Sequence, residues 1–256
     1  VFLDLVKKRG AKTACFLNKR NGDISFISDL VFYIGDGRDI EIAVPSTKTF
    51  TAHLLLGFIF TLYIKEKIKR KKVNKDLINI YKIPKIVSKT IKNFEKLKNS
   101  KIFALATKYK NWFISYDDIS KKFSSEEIRI KLSECCYKSL SNLNIEKVID
   151  YKVGNSLIIY NIGFEGEIFK KNINLLTKLG NTLILIGSEK KLKGIKTNSK
   201  IFKLLNPDIN QNFDSIPTVI NGQLLSFNIA KSINQKSKIF KFFKKSIINN
   251  YKKKLV

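Results

Sequence analysis

Glu127, Lys131 and Glu134 carry the chemistry this sequence could perform on carbon. Spacings of four and three put them on one face of an α-helix, because side chains that far apart stack turn above turn. Moving a carbonyl between adjacent carbons of a sugar needs a base that takes a proton from one carbon and returns it to the next. A carboxylate held beside an ammonium in a cleft can do this. The plainer alternative is a solvent-facing ladder of ion pairs, which needs no substrate.

A second candidate is the step Ser46-Thr47-Lys48. Hydroxyls and unpaired N–H groups at a helix start, with a cation in the first turn, suit a sugar hydroxyl or a phosphate. Either hydroxyl could instead simply cap the helix. His53, the single histidine, falls inside an apolar helix and reads as a packing residue rather than an acid–base group. Cys15, Cys135 and Cys136 lack the spacing of a zinc site, and adjacent cysteines rarely bridge. They read as reduced, structural and intracellular; no metal and no cofactor are expected.

The elements that must position these residues follow from hydrophobic pattern. Leu3–Arg9 reads as a helix stopped by Gly10, and Thr13–Leu17 and Leu30–Ile34 read as short buried strands, with a polar loop at Asn18–Gly22. Phe50–Ile64 reads as a mostly buried helix whose start Ser46 or Thr47 would cap, since Pro45 forbids an earlier one. Between Lys65 and Lys110 lies a basic helical connector, with Pro84 near the start of its second helix. Trp112–Ser115, Leu157–Ile162, Thr182–Ile186 and Ile201–Leu205 have the continuous apolar, β-branched character of strands in a parallel sheet. A helix over about Ser124–Ser139 carries the Glu-Lys-Glu face, with Ser124 or Ser125 and Glu127 in a capping arrangement. Another helix ends at Gly180, and Pro217–Lys245 holds one more before a basic tail.

Composition narrows the class. With 44% hydrophobic residues in 256, the chain can bury an ordinary core. No apolar run reaches the ~18 residues a membrane span needs, the best being Ala52–Ile64 with His53 inside it. The net charge of +28 would suit a polyanion. Yet lysine, isoleucine and asparagine are abundant together while arginine is scarce, as A/T-biased coding produces, and nucleic-acid readers favour arginine. Nucleic acid is therefore not an expected partner. The start at Val1 and the absence of methionine suggest a piece of a longer protein.

The string EIAVPSTKTFTAHLL from Glu41 is similar to the segment closing the first sugar-isomerase (SIS) domain of glucosamine-6-phosphate synthases. Ser125–Glu134, SEEIRIKLSE, resembles the first helix of that family's second SIS domain. The resemblance implies an α/β fold, a three-layer α/β/α parallel sheet: residues 1–64 the end of a first SIS domain, 65–110 the helical connector, 111–250 a second SIS domain, 251–256 a basic tail. It implies that Val44 and Ser46 face a sugar phosphate, joined as binding candidates by Thr47, Lys48 and Glu127. Glu134 would be the isomerisation base, with Lys131 beside it. The implied function is the sugar-phosphate-binding isomerase part of a cytoplasmic, homodimeric protein whose full-length form turns fructose 6-phosphate into an amino sugar phosphate, this stretch alone being inactive. The alternative is a non-catalytic or regulatory sugar-phosphate-binding SIS protein. Two departures favour the alternative: Tyr116-Asp117-Asp118 stands at the family's glycine turn and Val148 at its histidine; in a further departure, Tyr251–Val256 does not reproduce the family's lysine-containing tail.

Overall fold

The computed structural model describes residues 2–18, 20, 22–35, 45–70, 72–97 and 100–234. The chain divides into two compact units between Leu77 and Ile78.

The first unit opens with α1 (Phe2–Lys8), and Gly10 at φ +80° ends that turn as a left-handed stop. Strand β1 (Ala14–Leu17), the short α2 (Asp23–Ile27) and β2 (Leu30–Tyr33) follow; β1 and β2 pair in parallel, Ala14 opposite Leu30 and Leu17 opposite Tyr33. The long α3 (Lys48–Lys69) lays Phe60 against Phe16 and Phe32, the three rings meeting at 5.4–5.6 Å. This helix was expected to be mostly buried. Only its Leu62 is, while Ile59, Tyr63 and Ile64 are exposed and the rest mostly half-buried. Two described strands cannot cover a helix that is apolar on nearly every face.

The helix α4 (Asn74–Glu95) carries the chain across the division into the second unit. Pro84 lies in the middle of this helix, not near its start. There it removes one N–H from the ladder at an exposed position. Ile83, Thr90 and Phe94 form the buried side, and Phe94 stacks on Phe103 of α5 (Ile102–Ala106).

Beyond α5 the chain alternates strand and helix: β3 (Trp112–Tyr116), α6 (Lys122–Cys136), β4 (Leu140–Asn144), α7 (Ile145–Asp150), β5 (Leu157–Asn161), α8 (Glu167–Lys178), β6 (Thr182–Ser188), β7 (Ile201–Asn206) and α9 (Ser215–Asn234). The five strands form one parallel sheet in the order β4-β3-β5-β6-β7. Because successive side chains point to opposite faces, Ile114, Ile159, Ile184 and Ile186 pack with α5, α6 and α9, whereas Ile158, Tyr160, Leu183 and Leu185 pack with α7 and α8. This is a three-layer α/β/α arrangement with a separate apolar core on each side of the sheet. The pair α6 and α9 approaches closely enough that a Cβ at Gly222 would stand 2.2 Å from Ile128 Cγ1.

Two corrections concern α6. It starts at Lys122 and ends at Cys136, with Tyr137 at φ 53° as its left-handed cap. Ser124 and Ser125 consequently lie within the first turn and do not cap it. The Ser124 hydroxyl donates to the Lys121 carbonyl, and both serine oxygens receive the Asn161 amide, at 2.8 and 3.1 Å. The strand β4 and helix α7 were not expected from the sequence at all.

Candidate functional site

The face of α6 brings Glu127, Lys131 and Glu134 together. Lys131 Nζ donates to Glu134 Oε2 at 2.9 Å and stands 3.4 Å from Glu127 Oε1. One ammonium thus bridges two carboxylates. The ladder is not solvent-facing: the Lys131 and Glu127 side chains are about 95% buried, and Glu134 alone, at 29% exposure, can be reached from outside. Burial comes from α9, whose Gly222 admits α6 and whose Gln223 turns its amide toward Glu127. Burial is also the main reason the Glu127 carboxyl is raised above its ordinary value; the Lys131 charge opposes the shift and the Glu134 charge adds to it. Glu127 Oε1 and Gln223 Nε2 are both buried without a completed hydrogen bond, so the trio holds unspent polar capacity.

The Ser46-Thr47-Lys48 step belongs to the first unit. Thr47 occupies the N-cap position of α3, but its side chain makes no capping bond to the helix, contrary to expectation. The backbone there has φ −129° and ψ −64°, away from the extended geometry in which a cap hydroxyl reaches the N–H groups of the first turn. Its carbonyl accepts from both the N–H and the hydroxyl of Thr51. Ser46 and Thr47 are half-buried and Lys48 is exposed; Val44 lies outside the described residues. The start of α3 is tied to the carboxyl end of β1 by Asn18, which donates to Thr49 Oγ1 at 3.2 Å. His53 is held between two carbonyl oxygens, Thr49 at 2.9 Å and Phe16 at 3.4 Å. Val148 lies fully buried on α7 among Ile158, Phe169 and their neighbours, a core position with no access for a substrate.

Sequence reasoning missed a polar network at the carboxyl edge of the second sheet. Lys121 forms an ion pair with Asp214 although their side chains are only 3% and 10% exposed. Asn206 donates to Asp214 Oδ1 at 3.0 Å and to the Thr218 hydroxyl at 2.8 Å, while Asn221 donates to Asn206. The signal was an asparagine closing β4, β5 and β7, at the edge where open α/β sheets hold their polar groups. Above this network opens a cleft of about 470 Å³ lined by Ser188, Lys190, Lys191, Gln211 and Asp214 among others. Burial first, then the charge of Lys121, holds the Lys191 amine below its ordinary value. A second cleft of about 810 Å³ between α7 and α8 is lined by Asp117, Glu146, Asp150, Glu165 and Glu167 and carries no lysine or arginine. None of the Glu127, Lys131, Glu134 trio lines either cleft. Among the described residues no group of three or more histidine, cysteine or acidic side chains is placed to hold a metal, and no helix is long and apolar enough to cross a membrane.

No family model and no curated protein matches the sequence. Solved structures do match in fold. The C-terminal domain of glucosamine-fructose-6-phosphate aminotransferase from Francisella tularensis superposes with a TM-score of 0.74 at 21% identity, over 90% of this chain and 67% of that one. Glucosamine-6-phosphate deaminase from Thermotoga maritima gives 0.64 at 17%, over 90% and 65%. Tagatose-6-phosphate ketose/aldose isomerase from Escherichia coli gives 0.51 at 10%, over 86% and 60%. The fold is therefore the one these structures share, with a parallel five-stranded sheet between helices. The chain spans about two thirds of the length of these structures.

Proposed function

We propose that the chain is the sugar-phosphate-binding isomerase part of a glucosamine-6-phosphate synthase-like protein, acting on fructose 6-phosphate. The observation that carries this is the clamp of Lys131 between Glu127 and Glu134, with Glu134 reachable and the other two buried. In this reading Glu134 takes the proton from one sugar carbon and returns it to its neighbour. Lys131 fixes the carboxylate against rotation, and buried Glu127 fixes Lys131. Ser46, Thr47 and Lys48, with Val44, bind the phosphate or hydroxyls of the substrate. Family likeness further supports a cytoplasmic homodimer whose sites draw on more than one subunit. Assay of hexose 6-phosphate interconversion by the chain in its full-length protein tests the reading: Glu134→Gln abolishes turnover, and unchanged turnover removes the role.

A second reading, a sugar-phosphate-binding module without catalysis, is favoured by Val148, sealed in the core where the family resemblance places a proton-transferring histidine. It expects fructose 6-phosphate to raise the melting temperature with no turnover, since a ligand of the native state stabilises it. No shift at millimolar sugar phosphate counts against both readings.

A further inference from the structure

The strand order fixes where the second unit should receive a ligand. From β3 the chain moves outward to β4 and then returns past β3 to β5, so the order reverses between β3 and β5. Helix α6 packs on one face of the sheet, and α7 and α8 on the other. The crevice at the carboxyl ends of two such strands is the usual ligand seat of an open α/β sheet.

Here the hydrogen-bond donors of that crevice are engaged by the protein itself. Asp117, the first residue after β3, crosses to the segment after β5 and accepts three hydrogen bonds. They come from the Gly163 N–H at 2.5 Å, the Phe164 N–H at 3.3 Å and the Tyr160 hydroxyl at 2.9 Å. Two successive backbone N–H groups and a hydroxyl are the donors with which a loop cradles an oxyanion. A Cβ at Gly163 would stand 2.7 Å from Asp117 Oδ1 and 2.2 Å from Asp118 Cβ, so only glycine lets the two segments meet. Tyr160 stays a donor, because burial and then the Asp117 charge push its phenol far up. The neighbouring acidic cleft adds Glu146, Asp150, Glu165 and Glu167 to the same side.

We infer that Asp117 is the resident anion of this crevice and excludes phosphate and other oxyanions from it. A free oxyanion would have to displace a carboxylate tethered one residue from the sheet, and to do so against its charge. Removing that carboxylate leaves the donors in place and turns the crevice into an oxyanion seat. The inference is independent of the reaction proposed above: it holds whether or not Glu134 is a base.

The test is a titration of the ¹⁵N-labelled full chain with inorganic phosphate, against chloride at equal ionic strength. In the native sequence the Gly163 and Phe164 amide resonances stay fixed at millimolar phosphate. In Asp117→Ala, and in Asp117→Ser should the first variant not fold, the same two amides shift and saturate. Binding is then roughly tenfold or more tighter than in the native chain, and phosphate raises the melting temperature. Asp118→Ala, which loses the bond from the Ser120 N–H and leaves the donors to Asp117 unchanged, stays unresponsive. Phosphate-dependent movement of those amides in the native chain overturns the inference, as does a folded Asp117 variant that ignores phosphate. If neither variant folds, the native titration alone decides: fixed amides uphold the exclusion and moving ones refute it.

Discussion

Among the described residues the charged pairs of the first unit are partly exposed, whereas the second unit, beside surface pairs such as Lys170–Glu167, buries two of its own. Lys65 and Asp76 meet at 2.8 Å with side chains 40% and 18% exposed, and Asp29 sits on an exposed turn, accepting from the Thr13 N–H and hydroxyl. In the second unit the Lys121–Asp214 and Lys131–Glu127 pairs are almost wholly out of water. The carboxyl groups show what this does. Hydrogen bonds from Thr13 bring Asp29 down to about 2, whereas burial lifts Glu127 despite an ammonium beside it. A donor lowers a carboxyl only where water has not been stripped away faster than the donor compensates.

The largest test of this contrast is to break one pair on each side. Lys121→Ala should cost about 3–5 kcal/mol in urea unfolding, because it strands a buried carboxylate. Lys65→Ala should cost less than about 1 kcal/mol, as an exposed pair does. Helix glycines give the next contrast. Gly222→Ala should destabilise by about 1–3 kcal/mol, its new methyl driven into Ile128. Gly57→Ala in α3, with nothing within 4 Å of the new Cβ, should stabilise by about 0.5–1 kcal/mol. Thermal melts of the two variants should therefore move in opposite directions.

The smallest effects are in pH, and they have opposite signs. The folded-state value of Asp29 is depressed, so its contribution is present above the ordinary value of 3.8 and lost as pH falls through about 2. Asp29→Asn should lower stability at neutral pH and match the native chain below that window. Glu127 is raised, so its contribution is full below the ordinary value of 4.5 and is lost as pH rises through the higher folded value. Glu127→Gln should be neutral or stabilising at pH 7, with the difference vanishing in acid; a pH series of urea midpoints separates the two.

What the sequence disclosed and what it hid divide along physical lines. The strands β3, β5, β6 and β7 were legible because strands covered on both faces read as largely apolar runs. Edge strand β4, Leu-Ser-Asn-Leu-Asn, has only two apolar residues and gave no such signal. Reading Pro84 as an opening residue starts α4 too late, because this proline sits on an exposed face in the middle of the helix. The Glu127, Lys131, Glu134 face was legible from spacing alone, since one helix sets it. Its burial was not, because that depends on α9, nearly a hundred residues further on. The Lys121–Asp214 pair and the reach of Asp117 to Gly163 were hidden for the same reason. The acidic character of Tyr116-Asp117-Asp118 was visible, but not which donors it would occupy.

The strand order also bears on how the second unit can assemble. Its first strand, β3, takes the second place from one edge; β4 then docks on one flank, and β5, β6 and β7 add in turn on the other. A chain emerging from the ribosome never has to wait for a later strand to complete an earlier pairing. Growth in synthesis order can thus spare a wholly parallel sheet much of the delay that its distant pairings would impose on refolding from denaturant.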